Sequence, residues 1–150
     1  MRTLLLFFSL FLFAGCNTDD DSNTEFQPIE LMFTTIGPGS LGGDGSEGIA
    51  QSNLLINNTT DWEILMAQMD TTNNVTAGFT ETDIDFTTYS IIAIFLETKS
   101  TGWFLEITTI VENENNIPIS TNEIESDVAI ITQPFHIVKI PKTDKPIELE

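Results

Sequence analysis

Ser90–Leu96 (SIIAIFL) is an uncharged run in which only Ser90 is polar. A strand with one wet face would alternate polar and apolar residues. This run is continuous, which is the pattern of a central strand covered on both faces. The chain must therefore supply further elements to cover it. Glu97–Gly102 reads as a turn. The next segment, Trp103–Glu112 (WFLEITTIVE), alternates so that Trp103, Leu105, Ile107 and Val111 share a face, broken at Thr109.

The remaining segments predict an α+β domain with a mainly antiparallel sheet of about six or seven strands and one short amphipathic helix. Phe26–Ile36 reads as a first strand, weakened by Pro28. Gly37–Gly48 (GPGSLGGDGSEG) is rich in glycine and reads as a flexible loop. Leu54–Ile56 is a short strand. The helix is expected over Asp61–Met69, with Thr60 as cap and Glu63 closing a capping box. Trp62, Leu65, Met66 and Met69 then form one apolar stripe whose expected role is core packing. Ile117–Ile124, Val128–Thr132 and Phe135–Ile140 read as further strands, the last two separated by Gln133-Pro134. Ile147–Leu149 fits an edge strand. Residues 26–150, about 125 of them, make one domain able to bury a majority of its unfolded surface.

Composition narrows the function. The chain has 23 acidic and 5 basic residues, a formal charge of −18. Nucleic-acid binding rests on clustered Lys and Arg, so that partner is excluded. The single Cys forbids an intrachain disulfide, and the single His leaves no basis for a His-rich metal site. No cofactor is expected. The phosphate-cradling pattern is absent, because the Gly-rich loop carries neither Lys nor a following helix. The EF-hand spacing is also absent, so no metal site is assigned, although Asp44 and Glu47 lie in that loop. No G-x-S-x-G motif occurs. His136 alternates with Val138 and Ile140, which reads as a buried structural histidine. Asp83 and Asp85 fit an exposed acidic strand end better than a carboxylate pair for glycoside hydrolysis. No catalytic residue is assigned, and an enzyme is not expected.

The amino terminus carries an address. Arg2 precedes Leu4–Ala14 (LLLFFSLFLFA), and small residues follow, as in a secretory signal. Phe13-Ala14-Gly15-Cys16 resembles the lipobox of bacterial lipoproteins, with Phe where Leu is usual. The resemblance implies a signal peptide over 1–15 and acylation of Cys16, which would hold the chain on a membrane. Residues 16–25 then form an acidic tether. Asp19-Asp20-Asp21 resembles the surface-export signal of Bacteroidetes lipoproteins, and Asn17 is not the Asp of inner-membrane retention. The implied location is the outer membrane, exposed at the cell surface.

Thr132–Pro146 (TQPFHIVKIPKTDKP) resembles the C-terminal signature of the PrcB-like family, a Pro-aromatic-His, an apolar strand, then Pro and a basic residue. Ile91–Lys99 followed by Thr101-Gly102, Leu105–Ile107, and Asn53–Met66 are similar to further family segments. The resemblance covers about residues 50–150. Trp103 stands where the family's turn has a second Gly, and Asn122–Val128 replaces a Pro/Gly-rich loop. The family is named for an accessory lipoprotein of a surface protease complex. The resemblance implies a non-catalytic protein–protein module that stabilises an exported partner, a protease being the expected kind. Candidate partner-binding residues are Trp103, Phe104, Phe135, Lys139 and Lys142. Trp103 and Phe104 point to opposite strand faces, so one of them faces either a partner or a second core layer. Lys139, Lys142 and Lys145 form the least acidic part of the chain, either a solvated strand end or a docking patch. The alternative function is a surface lipoprotein binding carbohydrate or another small ligand, with Trp103 and Phe104 stacking on it.

Overall fold

A computed structural model describes residues 25–150. The expected signal peptide, Cys16 and nearly all of the expected acidic tether lie outside the described residues. The elements are β1 (Ile29–Glu30), β2 (Thr34–Gly42), β3 (Ser52–Ile56), α1 (Thr59–Met69), a 3-10 turn (Val75–Gly78), β4 (Tyr89–Phe95), β5 (Trp103–Glu112), β6 (Ile117–Glu125), β7 (Thr132–Pro141) and β8 (Ile147–Leu149). The described residues are mostly β with one α-helix, as expected. The strands number eight rather than six or seven, and they form two sheets rather than one, in the orders β2-β7-β4-β3 and β1-β5-β6-β8. All pairings are antiparallel except β6 with β8.

The layering follows from β4. Ile91, Ala93 and Phe95 pack with Trp62, Leu65 and Met69 of α1. Ile92, Ile94 and Leu96 pack with Leu105, Ile107 and Ile119 of the second sheet. One sheet is thus covered by a helix on one face and by the other sheet on the opposite face. That arrangement is why β4 has no polar alternation. Burying one such Ile or Leu side chain contributes about 1.5–3 kcal/mol.

The helix begins two residues earlier than expected. Asn58, not Thr60, is its cap, and the Asn58 side chain accepts the Asp61 amide at 2.9 Å while its own amide donates to the Asp61 carboxylate at 2.7 Å. Both contacts satisfy the first turn, so Thr60 falls inside the helix. Trp62, Leu65 and Met69 form the buried stripe.

Three loop and strand expectations are corrected. Phe26–Ile36 splits into β1 and the start of β2, with a bulge between Thr35 and Gly37. Gly37–Gly42 is strand, not flexible loop; only 43–48 form the turn. Gly37 and Gly39 serve ring packing, since a Cβ on Gly39 would lie 2.8 Å from Phe135 Cζ and one on Gly37 would lie 2.5 Å from Phe79 Cδ1. Pro38 is tolerated because β2 is an edge strand. Val128–Ile131 is not a strand, and β7 runs unbroken from Thr132 through Pro134.

Pro134 sits in the interior of its sheet, where a missing N–H normally leaves a carbonyl unpaired. Leu96 N–H donates to the Pro134 carbonyl at 2.9 Å. The reciprocal bond, from Pro134 to the Leu96 carbonyl, cannot form. The buried Gln133 side chain fills the gap, its Nε2 donating to the Leu96 carbonyl at 3.0 Å.

Candidate functional site

The described surface carries one concentration of exposed apolar side chains. Phe104 on β5 and Ile124 on β6 are register partners on the outer face of the second sheet, 61 % and 46 % exposed. Val128, Ile130 and Ile131 are exposed in the segment that follows β6. Single exposed apolar residues are ordinary, but a contiguous group marks an interaction surface. Beside it runs a groove of about 210 Å³, lined in part by Ser40, Trp103, Phe104, Val128, Ile130 and Thr132.

Backbone bonds hold this region in place. Gly102 N–H donates to the Val128 carbonyl and Ser126 N–H to the Gly102 carbonyl, both at 2.8 Å, and Lys99 forms an isolated bridge to Thr132. A Cβ on Gly102 would lie 2.5 Å from Ser126 Oγ, a hydroxyl that can rotate aside, and 3.4 Å from the Val128 carbonyl oxygen. Trp103 does not need the positive φ that a second glycine would allow, since no non-glycine residue has positive φ among the described residues.

Trp103 and Phe104 point to opposite faces, as strand geometry demands. Phe104 faces solvent. Trp103 is half-buried, its indole N–H donates to Thr101 Oγ1 at 2.9 Å, and Lys99 Nζ lies 5.0 Å from its ring centre. Lys99 in turn pairs with Glu97 at 3.2 Å and Glu123 at 3.4 Å. Burial pulls the Lys99 pKa down, but the hydrogen bonds and charges of Glu97 and Glu123 outweigh it and hold the pKa above the usual lysine value. The rim is otherwise acidic, with Glu106, Glu125 and Asp127 exposed.

The other candidate residues lie elsewhere. Phe135 is buried in the core between the Phe79 and Phe95 rings and presents no surface to a partner. Lys139 is paired with Glu81 and sits 4.7 Å from the Tyr89 ring centre. Lys142 Nζ donates to the Asn57 carbonyl at 2.9 Å. Lys145 pairs with Glu112 at 2.8 Å. All four lysines of the described residues thus have intramolecular partners. Lys139 and Lys142 stand at the far end of β7 from Thr132, seven or more residues or about 23 Å away, so they are not part of the apolar surface. Ile124, Ile130 and Ile131 were missed by sequence reasoning. Ile130 and Ile131 fall in an apolar run between Asp127 and Gln133-Pro134, which reads as a buried strand when no partner strand is known, and Ile124 ends the strand expected over Ile117–Ile124.

His136 is buried, and both its nitrogens are engaged. Nδ1 accepts the Ile107 amide at 2.7 Å, and Nε2 lies 3.3 Å from Thr35 Oγ1. Asp85 accepts from the Thr87 amide and from both threonine hydroxyls of Thr87-Thr88. Those bonds hold its carboxyl below the usual aspartate range and give it a turn-forming role. Among the described residues no group of three or more His, Cys, Asp or Glu side chains converges, and no helix is long and apolar enough to cross a membrane.

Comparison of the chain with protein-family models, with curated proteins and with solved structures finds no match.

Proposed function

We propose that this chain is a lipid-anchored protein of the cell envelope, at the outer-membrane surface. Its single domain works there as a non-catalytic interaction module that stabilises an exported protein partner. The observation that carries this reading is the exposed Phe104–Ile124 pair, continued by Val128, Ile130 and Ile131. Exposed aromatics beside a groove are favoured interface anchors. The acidic rim and the internally committed lysines favour a partner whose facing surface is apolar at the centre and basic at its edge. The engagement of both His136 nitrogens within the core supports the non-catalytic assignment.

Phe26 lies under Lys145, whose ion pair with Glu112 is at the far end of β5. Phe104 is eight residues from Glu112, about 26 Å along the strand. The described chain thus begins near the end of β5 opposite Phe104. Anchoring raises local concentration, and a module that binds only the folded partner stabilises it by about 2.7 kcal/mol at one hundred times its Kd. The resemblance of Thr132–Pro146 to the PrcB-like signature makes a protease the expected partner class.

The test is recovery of tagged full-length protein from native membranes after mild crosslinking. It is run beside Phe104→Ser/Ile124→Ser, Lys142→Ala and the non-acylatable Cys16→Ser. The expected result is one exported protein, lost with the double variant, retained with Lys142→Ala, and recovered in lower yield when the crosslinking is done at high salt. Recovery that is indifferent to the double variant would sink the reading. A chain that instead gains thermal stability from a glycan, with loss of the gain in Trp103→Ala, would establish the small-ligand alternative.

A further inference from the structure

Two side-chain oxygens among the described residues are buried without any hydrogen-bond partner, Glu47 Oε2 and Thr132 Oγ1. They belong to distant parts of the chain, yet both lie at Gly42. Thr132 is the register partner of Gly42 across β2 and β7. Directly opposed residues of an antiparallel pair project to the same face, about 5 Å apart. Glu47 reaches Gly42 from the turn that follows β2. Its Oε1 accepts the Gly42 amide at 3.2 Å. Its two oxygens lie 3.3 Å and 3.6 Å from the point where a Gly42 Cβ would stand, and Asp44 Oδ1 lies 3.2 Å from the same point. Two carboxylates thus meet on the side of the strand that Gly42 leaves open, and Thr132 opposes Gly42 across the strand pair.

This is an unfavourable arrangement for the apo chain. Glu47 is 3 % exposed. An ionised carboxylate can only accept hydrogen bonds, and an unpaired buried one is costly. Asp44 beside it adds like charge, and Asp44 itself is oriented by the Ser46 amide at 3.1 Å and hydroxyl at 2.6 Å. The group that satisfies acceptor-only oxygens and cancels paired carboxylate charge is a hard cation. Calcium takes six to eight oxygen ligands from carboxylates, hydroxyls, backbone carbonyls and water, in flexible geometry. The donor set is all oxygen, so a soft metal has no reason to select it.

We propose that the Gly42–Glu47 turn, closed by Thr132 of β7, binds a divalent cation of the calcium class through Glu47, Asp44 and the Thr132 hydroxyl. The site is separate from the proposed function and stands or falls without it. It adjoins the groove, since Thr132 and Trp103 line the same concavity. An occupied site would hold the turn against β7 and brace one wall of the groove.

The test uses full-length protein in detergent, stripped with a chelator, and titrated with calcium while thermal unfolding is followed. Magnesium at matched ionic strength controls for simple screening of a −18 chain. At a hundredfold excess of calcium over Kd the folded-to-unfolded ratio should rise about 100-fold. Asp44→Asn, an exposed position that should not disturb folding, and Glu47→Gln should each weaken calcium binding at least about tenfold, because ligand charge sets affinity in oxygen sites. Terbium should bind competitively with calcium and luminesce through Trp103, and Trp103→Phe should abolish that luminescence while leaving the calcium-dependent stabilisation. Phe104→Ser should change neither readout. No stabilisation at about 1 mM calcium, the weak end of extracellular calcium modules, would overturn the proposal. An equal response to magnesium would overturn it too, as would full calcium affinity in Asp44→Asn.

Discussion

His136 of β7 accepts the Ile107 amide of β5 at 2.7 Å, joining the two sheets through the core they share. Nδ1 must be unprotonated to accept, so the ring proton is on Nε2, facing Thr35 Oγ1. Protonating Nδ1 would set two N–H groups against each other. Burial, the largest effect, lowers the His136 pKa, and the Glu106 charge opposes it only in part.

The pH dependence follows from that sign. In the unfolded chain the histidine titrates near 6.5, and in the folded chain it titrates lower. The unfolded state therefore takes up the proton first as pH falls, and stability present above pH 6.5 drains away between 6.5 and the depressed folded value. Urea unfolding at pH 7.5 and 5.5 should show a loss of up to about 1.4 kcal/mol per pH unit below 6.5. Ordinary carboxylates titrate mostly below this window. His136→Asn, which retains an acceptor and cannot titrate, should flatten the response. His136→Ala should cost about 1–3 kcal/mol at pH 7.5 by leaving the buried Ile107 amide unpaired, and less at pH 5.5, where the wild type has already lost part of that stability.

Gln133 and Pro134 make a second test of buried polar pairing. Gln133→Leu strands the Leu96 carbonyl and should cost about 1–3 kcal/mol. In Pro134→Ala the backbone regains the N–H that β4 lacks, so Gln133→Leu/Pro134→Ala should lose less than the sum of the single changes. Denaturant unfolding of all four proteins measures that coupling. Strict additivity would show that the Gln133 amide does not stand in for the proline.

The sequence made the central layer legible because β4 and the first half of β5 bury what their patterns say they bury. SIIAIFL is covered on both faces, and Leu105 and Ile107 point inward. What it hid has local physical causes. The bulge between Ile107 and Thr109 resets the alternation, so Ile110 rather than Thr109 is buried. Gly37 and Gly39 read as loop residues because their purpose, room for the Phe79 and Phe135 rings, exists only in the tertiary structure. The candidate surface was half legible. The turn before β5 pointed to Trp103 and Phe104, but Phe135 and Ile130 carry similar apolar signals, and only the fold sorts the buried ring from the exposed side chain.

Gly39 offers a packing test. A Cβ there would meet Phe135 Cζ at 2.8 Å, in a ring cluster whose Phe95–Phe135 centroids are 5.8 Å apart. Gly39→Ala should therefore destabilise by about 1–3 kcal/mol, the usual cost of overpacking. Phe135→Leu shortens the offending side chain at its own cost. The double variant should be more stable than the summed losses allow, since the two positions share one volume. Thermal unfolding of the single and double variants decides it.

Phe104 and Leu105 are neighbours on β5 with opposite environments, one 61 % exposed and the other 3 %. That contrast makes a clean discrimination between surface and core. Leu105→Ala removes methyl groups from the interior between the sheets and should cost about 2–5 kcal/mol. Phe104→Ser leaves the interior intact and should shift stability by no more than about 0.5 kcal/mol. Ile124→Ser, across the strand pair from Phe104, should behave in the same way. A fold that needed Phe104 for its core would lose several kcal/mol in the serine variant, and urea midpoints measured side by side separate the two cases. A neutral outcome has a second use. It certifies that loss of partner recovery in Phe104→Ser/Ile124→Ser reports a lost contact surface, since the domain carrying the change is still folded.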